Sequence, residues 1–151
     1  MAHNLSRKDF EDEVEKAIDM RYSFCYETNF HSTPLYWPEK FKQNNYRLEL
    51  AFFCLDSTDK AKERVQIRVE NGGHFVPGYE IESRFKLGYK HLNKYWKFFD
   101  SIHLFNTSTY NQAPEHILTL ANKSLVKSQE LPNFLLKRIP SIISEIEGLS
   151  I

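Results

Sequence analysis

Arg64, Arg68 and Arg84 carry most of the chemistry available to this sequence. They lie in the run RVQIRVENGGHFVPGYEIESR, which spans Arg64–Arg84. Guanidinium forks suit phosphate oxygens and the charge that builds on a transferring phosphoryl group. Lys60, Arg64 and Arg68 are spaced four apart, so a helix there shows them as one basic stripe. Gly72-Gly73-His74 ends that helix in a tight turn, and Pro77 opens a second helix that brings Arg84 back towards the first. Converged, the three arginines would hold one anion. The bland alternative is a solvated helix face. Position favours a site, because the stripe follows the C-terminal end of an apolar strand, where α/β proteins place their ligands.

The elements around this run alternate between helix and strand. Ser6 to Met20 reads as a helix, with Ser6 and Asp9 as a capping-box-like start and Phe10, Val14 and Ala17/Ile18 at helical spacing. Tyr22 to Tyr26 is an aromatic run that reads as a strand ending at Glu27, and Leu35 to Gln43 reads as a short helix starting near Pro38. Tyr46 to Leu55 is the clearest strand. Its uninterrupted end, Leu50 to Leu55, suits a parallel strand buried on both faces. Asp56-Ser57-Thr58 caps the basic helix, which runs to about Glu70. The Pro77 helix has Ile81, Phe85, Leu92, Trp96 and Phe99 as its apolar stripe. Ser101 to Phe105 is a third strand, Thr107 to Pro114 a polar loop, and Leu131 to Ile146 a helix split or kinked at Pro140. Tyr110 to Ser128 is given no role. The pattern predicts one α/β domain over residues 1–151 with a mostly parallel sheet.

The bulk numbers bound the function. With 151 residues, 41% hydrophobic and 26% charged, the chain has enough apolar side chains for a core and is not disordered. Lys+Arg and Asp+Glu are 20 each, so no net field draws it to nucleic acid or membrane, and any anion site must be local. Cys25 and Cys54 read as buried free thiols without metal or redox spacing. The six His have no partner at zinc spacing. The start lacks a signal-peptide core and no run reaches membrane-spanning length, so the expected location is cytoplasmic and the sequons at Asn106 and Asn122 are chance.

The order R-V-x-x-R-V-x-x-G-G-H-x-V-P, followed by an Arg on the next helix, resembles the zeta-toxin-like family of P-loop small-molecule kinases. Phe24 to Thr28 resembles that family's strand ending in Glu-Thr-Thr, Tyr46 to Leu55 its next core strand, and Ser101 to Ser108 a strand ending in an Asn-Ser-like turn. The match covers residues 22–108, leaving 109–151 as a C-terminal helical extension. The resemblance implies a three-layer P-loop kinase-like fold and an ATP-dependent phosphotransferase of toxin–antitoxin type using Mg²⁺. It implies Arg68 and Arg84 on the ATP phosphates, Arg64 in support, and Glu27 and Thr28 facing a small hydroxyl acceptor such as a nucleotide sugar. His74 then shapes the turn.

Several parts of the family pattern are missing. There is no Gly-Lys-Ser/Thr and no glycine-rich phosphate loop; the glycines are Gly72, Gly73, Gly78, Gly88 and Gly148. Ser83 stands where the family has the first of two adjacent arginines, and Asn29 replaces a Thr. The family's phosphate-loop strand lies between the strands corresponding to Tyr22–Glu27 and Tyr46–Leu55, so its loss exposes two strand edges. The expectation is therefore a rearranged sheet, pairing with another chain, or part of a longer product, with self-association favoured. Alone, the chain is expected to transfer phosphate weakly or not at all. The alternative is a non-catalytic protein- or anion-binding module: a degenerate kinase, or a small antitoxin or immunity-type protein.

Overall fold

A computed structural model describes residues 2–149, with side chains from residue 7 onward. The elements in chain order are α1 (Ala2–Met20), α2 (Tyr36–Gln43), β1 (Glu49–Cys54), α3 (Thr58–Glu70), α4 (Gly78–Tyr95), β2 (Ser101–Asn106), β3 (Glu115–Ala121), β4 (Ser124–Lys127), α5 (Asn133–Leu136) and α6 (Pro140–Leu149). A 3₁₀ turn, Trp96–Phe98, follows α4. The protein is α/β, with one four-stranded sheet in the order β1-β2-β3-β4.

The sheet is mixed rather than mostly parallel. β1 and β2 pair parallel, with Glu49 opposite Ser101 and Cys54 opposite Asn106. β2–β3 and β3–β4 are antiparallel. The 109–151 segment is thus not wholly helical: it contributes two strands. Asn122 and Lys123 both have positive φ, 45° and 64°, the backbone of a two-residue hairpin turn whose twist matches the strands it joins. Opposite Leu104 and Phe105 the register slips, so Ile117 is a bulge residue and both Ile117 and Leu118 enter the core.

One face of the sheet is buried. Ile102, Leu104, Ile117, Leu118 and Leu120 pack against Tyr89 and Leu92 of α4 and Ile142 and Ile146 of α6, with Leu135 and Ile139 between. Pro140 begins α6, so the expected split at this residue is real; a helix tolerates Pro in its first turn, where the missing N–H has no partner to lose. A second cluster joins Val14 of α1 and Phe41 of α2 to Leu48, beside Phe24, Trp37 and Phe99. The opposite face is barer: Ala51, Phe53 and Val126 are exposed there. The packing of helices against both faces expected of a three-layer fold is therefore not seen among the described residues.

Four more expectations change. α1 begins before Ser6, whose side chain lies outside the described residues. Tyr22–Tyr26 forms no strand and joins no sheet among the described residues. β1 is an edge strand with burial alternating along it, not a strand buried on both faces. Cys25 is exposed, whereas Cys54 is buried, and burial pushes the Cys54 thiol up to about 12.

Candidate functional site

The basic helix α3 is built from its ends. Ser57 caps its start, its hydroxyl accepting from the Lys60 N–H at 3.2 Å. Its other end is a Schellman motif: the Gly72 N–H donates to the Val69 carbonyl at 3.0 Å and the Gly73 N–H to the Arg68 carbonyl at 2.7 Å. Gly72 has φ +89°, and a Cβ on Gly73 would stand 2.8 Å from the Arg68 carbonyl oxygen. The double glycine thus ends the helix at a fixed point and sets where Arg68 sits. Exposed His74 follows it.

α3 has no buried residue. Its apolar residues Ala61, Val65, Ile67 and Val69 are half-buried, and polar contacts add to them. Lys62 pairs with Glu82 of α4 at 3.0 Å, and Lys60 with Asp56 at 2.6 Å. Arg64 Nη2 donates to the Thr107 carbonyl, just past the end of β2. Thr107 in turn donates its N–H and hydroxyl to the Cys54 carbonyl at 2.9 and 3.0 Å. Arg64 therefore bridges the helix after β1 to the C-terminal ends of both parallel strands.

Two adjoining clefts lie along this bridge. One, of about 110 Å³, is lined by Lys60, Glu63, Arg64, Ile67, Ser108 and Tyr110. The other, of about 240 Å³, shares Arg64, Ile67 and Tyr110 and adds Arg68, Thr107 and Asn111 among its walls. Arg68 is exposed, and its guanidinium has no partner among the described residues. Asp56 Oδ1 and Ser108 Oγ are buried without a hydrogen-bond partner among the described residues. Ser108 lines the smaller cleft, so hydrogen-bonding capacity there is unmet.

The expected site residues fall into two groups. Lys60, Arg64 and Arg68 share the clefts at the strand ends. Arg84 lines neither cleft; it pairs with Glu80 one turn earlier on α4, at 3.2 Å. Its charge acts on His31, whose pKa is lowered chiefly by burial and then by Arg84 and His91. Thr28 belongs with this second group. Its hydroxyl accepts from the Phe30 N–H at 3.1 Å, and the Phe30 carbonyl meets His91 Nδ1 at 2.8 Å. Glu27 is exposed, and its side chain makes no hydrogen bond or ion pair among the described residues.

Missed from the sequence are the loop residues Thr107 to Asn111, which form the far wall of the clefts, and Arg138. Arg138 donates to the Leu55 and Asp56 carbonyls at 3.0 and 2.6 Å, among the rings of Phe85, Tyr89 and Phe134. Tyr89 Oη accepts from the Leu55 N–H at 2.9 Å and donates to the Leu55 carbonyl at 2.7 Å. Together they fix the end of β1, which leads into α3.

Judged against Mg-ATP, these residues fit the phosphates and little else. Gly72 and Gly73 terminate a helix, so no run of free backbone N–H groups from them cradles a phosphate. No group of three or more His, Cys, Asp or Glu suited to a metal ion occurs among the described residues. No helix of the described residues is long and apolar enough to cross a membrane. No family model, curated protein or solved structure matches the chain.

Proposed function

We propose that this chain binds a phosphate-bearing small molecule through Arg64 and Arg68, with Lys60 beside them, as the phosphate-handling arm of a zeta-toxin-like kinase. One observation carries the reading: the Arg68 guanidinium is without a partner and lines the same cleft as Arg64, which is already locked to the strand ends. A fixed and a free guanidinium on one cleft suit an anion with several oxygens. Arg84 joins only if it exchanges Glu80 for a phosphate. Transfer of the ATP γ-phosphate to a hydroxyl acceptor beside Glu27 and Thr28 would need a phosphate loop supplied from elsewhere. Alone, the chain is proposed to bind and not to turn over.

Calorimetric titration of the whole chain with inorganic triphosphate, and separately with Mg-ATP, tests this. Triphosphate should bind with an affinity that weakens as salt rises. Arg68→Ala should reduce it at least tenfold, while Glu80→Ala leaves it equal or tighter. Absence of binding at millimolar triphosphate, or equal binding by Arg68→Ala, ends the proposal.

A second reading, a module that associates with protein, is favoured by the exposed edge and face of β1.

A further inference from the structure

We infer that two copies of this chain pair through their β1 edges, antiparallel about a two-fold axis at Ala51, to make one continuous sheet. The inference is independent of the anion-binding reading.

Backbone direction along β1 sets the argument. The Leu48 carbonyl accepts from Asp100 and Ser101, and the Cys54 carbonyl from Thr107, so even-numbered residues turn their polar groups to β2. Glu49, Ala51 and Phe53 therefore turn N–H and C=O the other way, where no strand of the described residues lies. The next residue in this row, Leu55, is already satisfied by Tyr89 and Arg138. The open stretch is thus bounded at one end and unpaired before it.

Side-chain burial marks the same gap. Leu50 and Phe52 point to the helix side yet are only half-buried, while their β2 neighbours Ile102 and Leu104 are 1% and 0% exposed. On the opposite face Phe53 is 56% exposed, stacked on Phe105 at 5.5 Å. The usual guards against edge pairing, a proline, a lysine or a bulge, are absent from β1.

The occupant follows from self-complementarity. With Ala51 on the axis, Glu49 lies opposite the second copy's Phe53, and Ala51 opposite its own equivalent. Every open N–H and C=O of Glu49, Ala51 and Phe53 then finds a partner in an antiparallel hydrogen-bonded pair. The smallest side chain of the row sits on the axis, and Leu50 faces the second copy's Phe52 in the closer, non-hydrogen-bonded pairs. Glu49 never faces Glu49, and it keeps its own neighbours Arg47 at 3.8 Å and His103 at 3.5 Å. A formal net charge of zero opposes the meeting with no long-range repulsion.

Light scattering on the eluting whole chain tests this. The wild type should elute at twice the chain mass at tens of micromolar, and the amides of Glu49, Ala51 and Phe53 should exchange slowly with deuterium. Ala51→Pro removes an N–H that has no partner within one copy, so it should give a monomer with unchanged circular dichroism. Phe53→Glu puts a second carboxylate directly opposite Glu49 of the other copy, at an exposed position, and serves if the proline variant fails to fold. A wild type monomeric at 200 μM, or a dimer that survives Phe53→Glu with fast-exchanging edge amides, overturns the inference.

Discussion

Arg138 donates to two main-chain carbonyls from among the rings of Phe85, Tyr89 and Phe134. Arg68, on the exposed side of α3, has no side-chain partner among the described residues. The two guanidiniums lie at either end of one connected path: Arg138 holds Leu55 and Asp56, Asp56 holds Lys60, and the stripe continues through Arg64 to Arg68. Along it, the positive charge passes from fully engaged by the fold to fully available. A guanidinium that holds the fold satisfies backbone oxygens that would otherwise lack partners. One that serves a ligand is left with donors directed into a cleft. Composition alone treats them alike; their surroundings separate them.

The comparison is broken most forcefully at Arg138. Arg138→Ala should destabilise the protein by about 3 kcal/mol, since two charge-assisted hydrogen bonds and stacking on aromatic rings go together. Thermal unfolding would then fall by roughly 10 °C in a chain of this size. A loss under about 1 kcal/mol would mean that Tyr89 holds the end of β1 unaided.

The intermediate case is Gly73, which places Arg68. Gly73→Ala drives a Cβ against the Arg68 carbonyl at 2.8 Å and disturbs the capping bond. A cost of about 1–2 kcal/mol is expected, with weaker triphosphate binding although no charge is removed. Unchanged affinity would show that the cap does not position the side chain.

Arg68→Ala is the smallest stability effect. With no partner to lose, the melting free energy should stay within about 0.5 kcal/mol of wild type, measured by urea unfolding. A larger loss would move Arg68 to the same class as Arg138.

How legible these features were depended on where their signals lie. The α3 termini were plain, because Ser57 and Gly72-Gly73 are local chemistry that the structure uses as caps. Pro77 marked a helix start for the same reason, and Pro140 marked a split in the last helix that the structure turns into the start of α6. The β3–β4 hairpin was missed. Its turn uses Asn122-Lys123 in place of the usual glycine pair, and the bulge at Ile117 breaks the alternation that would have announced a strand. β1 was found, but its surroundings were not: an apolar run cannot say whether neighbours exist on both sides. In the site, the stripe Lys60-Arg64-Arg68 was visible as spacing. The separation of Arg84 was not, because an i,i+4 pair with Glu80 satisfies it locally. Arg138 was invisible for a different reason: its partners are main-chain oxygens more than eighty residues away, for which sequence has no letter.

The pairing of Glu49 with Ser101 has a consequence during synthesis. Translation proceeds at about 5–20 residues per second, so β1 leaves the ribosome roughly 3–10 s before its partner strand. In that interval Leu50 to Phe53 has no hydrogen-bonded neighbour on either side, while α3 and α4 emerge and can form their hairpin first. A nascent chain at this stage offers an apolar extended segment to any chaperone near the exit tunnel, and β2 must displace whatever has bound there.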